Sequence, residues 1–245
     1  MLNRFFKKKE AELAPLNFSI IETDIHSHLI PGIDDGSPDM DTSISIIKKM
    51  RELGYKKIIT SPHVMSDFYK NTNNTIINGL NNVREELKSQ NINMDIDAAA
   101  EYYIDFDFEQ KIGKEKFLTF GNNYILVEIS FMQEPNNLFQ TIFKLQMEGY
   151  NVVLAHPERY GYYNEEDYDN LISRGVFFQI NLLSLIGYYS PQIKQKTKKL
   201  ITKNQVSLVG TDCHNMNHAE LYKKCQTKKD WHDLVNSGKL LNATL

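Results

Sequence analysis

The residues with the most chemical capacity in this 245-residue chain are histidines and carboxylates spaced a few positions apart. His26 and His28 stand in the string Asp24-Ile25-His26-Ser27-His28, and Asp34-Asp35-Gly36 follows closely. On an extended segment, side chains at i and i+2 share a face, so both imidazoles can reach one ion. Asp212-Cys213-His214 repeats that spacing near the other end of the chain. His63 closes Ser61-Pro62-His63, and Glu101 follows three alanines that leave room around it. Glu128 sits inside the apolar run Ile125-Leu126-Val127-Glu128-Ile129. Burying a lone carboxylate costs on the order of several kcal/mol, so this one is expected to be paired or metal-bound. His156-Pro157-Glu158-Arg159 adds an imidazole and a guanidinium. Each fragment alone is weak, because a single histidine at a strand end more often serves as a hydrogen-bonded rim residue. The set carries the inference. His26, His28, Asp35, His63, Glu101, Glu128, His156, Asp212 and His214 exceed what one tetrahedral zinc uses. Mixed imidazole and carboxylate ligation suits manganese, iron or zinc in a multinuclear catalytic cluster.

The elements that must position these residues follow a repeated grammar of helix, glycine stop, strand and polar residue. Ile44, Ile47, Met50 and Leu53 recur at helical spacing over Asp41 to Leu53, and Gly54 can supply a left-handed cap. Lys57 to Thr60 then reads as a strand. The unit recurs at 138–148 with Gly149 and a strand over 151–155, and at 165–174 with Gly175 and a strand over 176–183. Strands are also predicted over 19–25, 93–99, 124–129 and 206–210, giving seven. Strands alternating with helices imply right-handed crossovers and a parallel sheet. The expected fold is therefore α/β, a distorted (β/α)7 barrel in a single domain over residues 17–245. Five of the seven histidines and four acids fall at the ends of six strands. In β/α barrels that rim is where active sites are assembled.

Composition bounds the alternatives. The chain is 41% hydrophobic and 24% charged, as in ordinary globular proteins, and its net charge of −3 disfavours a general nucleic-acid binder. No apolar run approaches the ~20 residues needed to span a bilayer, and the first residues hold no signal-peptide core. Cys213 and Cys225 make no disulfide framework, so a cytoplasmic location is expected. Residues 1–16 read as a tail in which Phe5, Phe6, Lys7, Lys8 and Lys9 allow at most peripheral contact with an acidic membrane. A thiol phosphatase needs an arginine six positions after its cysteine; Ala219 and Trp231 stand there instead.

The ordered set His26-x-His28, Asp35, His63, Glu101, Glu128, His156, Asp212-x-His214 resembles the polymerase-and-histidinol-phosphatase (PHP) superfamily of metal-dependent phosphoesterases. The fuller strings, with Ala155-His156-Pro157-Glu158-Arg159-Tyr160 and Thr211-Asp212-Cys213-His214-Asn215, are similar to the bacterial protein-tyrosine phosphatases of capsule and exopolysaccharide loci, the CpsB/YwqE type. The resemblance spans about residues 18–240. It implies three divalent ions, manganese foremost, with iron or zinc as alternatives. His26, His28, Glu101 and Asp212 would hold the first, Glu101, Glu128 and His156 the second, and Asp35, His63 and His214 the third. Arg159, Asp35 and His63 are the implied catalytic residues, with Arg159 gripping the phosphate, a bidentate task that suits a guanidinium. Members of the family can carry a second arginine shortly after the last D-x-H. Residues 215–224 contain none, leaving His218, Lys223 and Lys224 as substitutes.

The implied activity is hydrolysis of phosphotyrosine on a protein by metal-activated water, the partner being the tyrosine-rich tail of a bacterial tyrosine kinase. Tyr102, Tyr103, Phe131, Tyr160, Tyr162 and Tyr163 are candidate aromatic neighbours of such a substrate. A small-molecule phosphomonoesterase, such as a histidinol phosphatase, would use the same metal set. An amidohydrolase-type barrel also begins with HxH, but it usually wants a bridging lysine where Glu101 and Glu128 stand. A non-catalytic module recruiting partners to a polysaccharide-export complex is the reading from another class, and it has no need of nine ligands.

Overall fold

The computed structural model describes residues 12–245, so the Phe5 to Lys9 segment lies outside the described residues. The chain begins with β1 (Thr23–Asp24), α1 (Met40–Glu52), β2 (Lys57–Thr60) and β3 (His63–Val64). It continues through α2 (Asn73–Ser89), β4 (Asp95–Ala98), β5 (Glu101–Tyr103), α3 (Phe106–Lys111) and β6 (Tyr124–Glu128). The later units are α4 (Leu138–Met147), β7 (Asn151–Ala155), α5 (Glu165–Ser173) and β8 (Phe177–Asn181). They are followed by α6 (Pro191–Thr202), β9 (Leu208–Gly210), α7 (Met216–Leu221) and α8 (Lys229–Asn236).

The helices form where the apolar spacing and the caps agree. Ile44, Ile47 and Met50 are buried along α1, whose first turn is closed by Asp39 accepting from Thr42 N at 2.8 Å. Gly54 then takes φ 107°, which releases the chain into β2 without steric cost.

Every ladder pairing among the described strands is parallel. One sheet has the order β1-β2-β4 and the other β3-β5-β6-β7-β8-β9. They join through the short gaps between β2 and β3 and between β4 and β5, where Ala99 N donates to Thr60 O at 2.9 Å and Glu101 N to Pro62 O at 3.0 Å. At the other side, Asp212 N donates to His26 O at 2.7 Å and His28 N to Cys213 O at 3.0 Å, drawing the end of β9 against the segment after β1. The result is an α/β single-domain fold with parallel strands in a curled, barrel-like sheet.

Nine strand segments stand where seven strands were expected. The two extra pieces, β3 and β5, continue β2 and β4 after a break. The first expected strand shrinks from 19–25 to Thr23–Asp24. Asn17 caps a 3-10 turn over Phe18–Ile20, and Glu22 at φ 59° resets the chain before the sheet.

Strand alternation decides which residues face the middle. Ile125, Val127, Val152, Leu154, Phe178 and Ile180 belong to the large core between sheet and helices. Leu126, Val153, Ala155, Leu208, Ile25 and Ile59 form a separate inner plug. With a period of two, Glu128 follows Leu126 onto the inner face, and Gln179 follows Phe177. Both faces of the sheet are buried, which is why its strands read as continuous apolar runs. No helix among the described residues is long and apolar enough to cross a membrane.

Candidate metal centre

At the strand ends above the inner plug, all nine nominated ligands and Arg159 converge. Glu101, at the start of β5, is fully buried and central. Its Oε2 lies 3.1 Å from His26 Nε2, 3.1 Å from His63 Nδ1 and 3.6 Å from His28 Nε2, while Oε1 lies 3.0 Å from His156 Nε2. Glu128 Oε1 and Oε2 stand 3.6 Å from His156 Nε2 and 3.7 Å from His63 Nδ1. Asp212 Oδ1 is 3.5 Å from His26 Nε2 and 3.4 Å from both His28 Nε2 and His214 Nδ1. Asp35 Oδ1 reaches the Nε2 atoms of His63 and His214, each at 3.5 Å.

Three groups of donor atoms are compact enough to hold an ion: His26, His28 and Glu101; His63, Glu101 and Glu128; and His28, Asp35, His63 and His214. Glu101 joins the first two groups and His63 the last two. These groups differ from the sets that the resemblance implied: His28 joins the third, His63 stands with Glu101 and Glu128 in place of His156, and Asp212 is outside the first.

The hydrogen bonds around this cluster fix its tautomers. Gln179 Oε1 stands 2.7 Å from His26 Nδ1, and Asp34 Oδ2 stands 2.8 Å from His28 Nδ1. Both acceptors require a proton on Nδ1, so in the neutral rings Nε2 carries the lone pair that can bind a cation. Those two Nε2 atoms then face each other at 3.3 Å. Glu101 Oε2, though buried and crowded by imidazole nitrogens, receives no hydrogen bond. Lone pairs converging on one space without protons between them repel unless cations lie among them. The donor set therefore fits divalent ions.

Without cations, the carboxylates hold protons on the rings. Burial opposes charge on His26, yet Glu101 and Asp212 push its pKa up to about 9. Burial likewise works against His63 and His214, but Glu101 raises the first to about 10 and Asp212 the second to about 9. Burial and the nearby Glu101 charge raise Glu128 to about 8. His156 goes the other way, lowered to about 4 by burial and by the Arg159 charge.

The backbone bends sharply to present these groups. His156 and Asp212 adopt left-handed conformations at φ 35° and 52° at the ends of β7 and β9. Non-glycine residues rarely do so, and such strain gathers at functional sites. Gly36 packs on His28 so closely that an added Cβ would collide with the His28 carbonyl and Cβ.

Arg159 is held over the cleft. Its Nη1 donates to Asp212 Oδ2 at 3.1 Å, and its guanidinium lies 4.7 Å from the Phe131 ring centroid and 4.6 Å from that of Tyr189. The side chain keeps 25% of its surface exposed, facing a cleft of about 380 Å³. That cleft is lined by metal-centre residues together with Phe131, Arg159, Tyr189, Asn215 and His218.

Of the aromatic residues nominated from sequence, Phe131 alone lines the cleft. Tyr160 is buried behind it, and Tyr102 is buried with its hydroxyl accepting from Leu118 N at 2.7 Å. Tyr162 and Tyr163 turn to Ser130 O and Glu134. His218 lines the cleft, its ring 3.2 Å from Tyr188 Oη, whereas Lys223 and Lys224 are exposed and outside the lining. Sequence reasoning missed Asp34 as a partner of His28, and it missed Gln179, Asn181 and Tyr189. Asn181 Nδ2 donates to Asp212 Oδ2 at 2.6 Å, and its own backbone N–H bonds to Glu158 Oε1 at 2.9 Å. The i, i+2 spacing of Gln179 and Asn181 at the end of a predicted strand was the available signal.

A parallel α/β sheet carrying a histidine–carboxylate cluster at its strand ends defines the general class. Comparison with known proteins narrows it. The chain belongs to the family described as "Capsular polysaccharide synthesis, CpsB/CapC", whose model matches residues 22–230. It is 31% identical over 200 residues to the tyrosine-protein phosphatase YwqE of Bacillus subtilis, covering 79% of this chain and 77% of that one. A crystal structure from work on YwqE of Bacillus subtilis and CpsB of Streptococcus pneumoniae, described as metal-dependent tyrosine phosphatases, superposes with a TM-score of 0.79. It shares 27% identity and covers 91% of this chain and 94% of that one. The histidinol phosphate phosphatase of Lactococcus lactis shares the fold at a TM-score of 0.51 and 16% identity, over 89% of this chain and 93% of the other.

Proposed function

We propose that this protein is a metal-dependent protein-tyrosine phosphatase acting in capsule or exopolysaccharide synthesis, with three divalent ions, manganese foremost, held by the nine ligands. The observation that carries this reading is the convergence of imidazole nitrogens from His26, His28, His63 and His156 on the buried Glu101 carboxylate, with Arg159 tied to Asp212 beside them. Family membership supports it, and the protein substrate is inferred from the activity named for the relatives. The partner would be the tyrosine-rich tail of a bacterial kinase, met in the cytoplasm. We count the curled sheet as a seven-stranded barrel, taking β2 with β3 and β4 with β5 as single interrupted strands.

Ions in such a set supply Lewis acidity and lower the pKa of water toward ~7. The chain's own residues do the rest. Asp34 and Gln179 orient His28 and His26 so that their lone pairs face inward. Arg159, stiffened between two rings and tied to Asp212, presents its free N–H groups to the phosphoryl oxygens, where charge is stabilised during transfer. Asp35 and His63 line the cleft alongside it. Water replaces the tyrosyl oxygen at phosphorus, and that oxygen departs with a proton. Cys213 takes no part: it is fully buried, and burial pushes its thiol up to about 12.

The test is steady-state hydrolysis of a phosphotyrosine peptide against histidinol phosphate, with manganese and with chelator. Preference for the peptide, lost on chelation, is expected. Preference for histidinol phosphate would move the protein to small-molecule chemistry, and activity on neither despite bound metal would favour a recruitment role.

A further inference from the structure

A second cavity, of about 600 Å³, adjoins the metal cleft. Tyr69 is the partition between them: it lines the cavity, and its ring stacks on that of His63, a cleft residue, with centroids 5.4 Å apart and planes 13° apart. One wall is the segment after β3 together with the start of α2, and the other is the segment from β5 through α3 to Phe117. The walls are tied together, since Asp105 accepts from Ser66 N at 3.0 Å as well as capping Phe108 N at 2.8 Å. They are also tied to the metal centre, because Asn71 Nδ2 donates to His63 O at 2.8 Å and to Ile33 O at 2.9 Å. The cavity is therefore preformed rather than a gap between loose loops.

Its floor is aromatic. Tyr102, Phe108 and Phe117 pack on one another with centroids 4.9–5.4 Å apart, and the Tyr102 hydroxyl is already engaged by Leu118 N. Its lining also holds three lysines (Lys70, Lys111, Lys116) and three acids (Asp105, Asp107, Glu115), so it carries no net formal charge. Next in sequence to a lining residue of each wall stands an exposed phenylalanine, Phe68 after Asp67 and before Tyr69, and Phe106 before Asp107, 76% and 73% exposed. Exposed apolar surface of this kind beside a concave aromatic site marks a place for an apolar ligand group.

We propose that this cavity seats a large apolar or aromatic side chain of the same polypeptide whose phosphorylated residue enters the metal cleft. This inference rests on the phosphatase reading and deepens it by naming the substrate as a peptide with an apolar neighbour beside its phosphotyrosine. The stacked Tyr69 and His63 rings stand between the two spaces, so a single extended segment passing over them reaches both.

The experiment compares, with manganese, phosphotyrosine itself, a phosphotyrosyl peptide flanked on both sides by leucine or tyrosine, and the same peptide flanked by serine. It uses the native chain and two variants that fill the cavity from opposite walls at exposed positions, Asn74→Trp and Asp107→Trp. The native enzyme should favour the apolar peptide over the serine peptide by about tenfold or more in kcat/KM. Both variants should erase that preference while hydrolysing phosphotyrosine at the native rate, which also reports that they fold. Equal rates on the two peptides, or a preference that survives both substitutions, overturn the inference and leave the phosphatase reading standing. No hydrolysis of any phosphotyrosyl compound would remove both.

Discussion

Asp34 holds His28 Nδ1 through Oδ2, which also accepts from His63 N at 3.1 Å, while Oδ1 accepts from Gly36 N at 3.0 Å. One carboxylate thus fixes the tautomer of one ligand and the backbone of another. Its own pKa stays low, near 2, because the His28 charge and these hydrogen bonds outweigh the cost of burial. Asp34→Asn should keep the fold and lower metal affinity about 10–100-fold, as loss of an outer-shell partner commonly does. Metal titration read by bound manganese would show it, and unchanged affinity would mean that His28 is oriented by other contacts. Cys213 poses the opposite case. It sits between two nominated ligands, fully buried, and its sulfur is 3.6 Å from Asn215 O. Cys213→Ser should retain most activity; an inactive variant with normal metal content would overturn the water mechanism.

Among the elements, the loop between β1 and α1 does the most to shape the site. It carries His26, His28, Asp34 and Asp35, and it folds back so that Ser37 N donates to His28 O at 3.0 Å. Gly36 makes that return possible, since any Cβ there would strike His28. Gly36→Ala should destabilise the protein by ~1–3 kcal/mol, the usual cost of overpacking, and weaken metal binding with it. Denaturant midpoints and metal content measured together would decide the matter, and loss of stability with normal metal content would show that the loop yields away from His28.

For the molecule as a whole, the metal centre couples binding to pH. In the metal-free protein, His26, His63 and His214 have pKa values raised from 6.5 to about 9, 10 and 9. A raised histidine stabilises the metal-free fold fully below its unfolded value, and that contribution is lost as pH rises through the folded value. Cations need the neutral rings, so metal affinity should climb from pH 7 toward pH 9–10, and binding at pH 7 should release protons. Calorimetry at pH 7 in two buffers of different ionisation heat should give different apparent enthalpies. Identical enthalpies would mean that the rings are already neutral. Chelation at pH 9 should destabilise the fold more than at pH 6.5, because the metal-free protein has by then lost its protonated histidines.

Sequence alone determined the residue types and their order. Imidazoles at i and i+2 share a face whatever the fold, and a carboxylate inside an apolar run must find a partner because burial is costly. The helix–glycine–strand grammar of 40–60, 138–155 and 165–181 was legible for the same local reason: caps, stops and periodicity act between neighbours in the chain. Tertiary structure decided what depends on distance across the molecule. Gln179 and Asp34 became orienting partners only when β8 and the first loop came against His26 and His28. Tyr189, 30 residues from Arg159 in sequence, became one side of its clamp. The breaks that turn seven expected strands into nine segments arise where the curling sheet passes from one ladder to the other. The cavity behind Tyr69 has walls that meet only in the folded chain. No local pattern encodes such a space, because its floor residues look in sequence like any other buried aromatics.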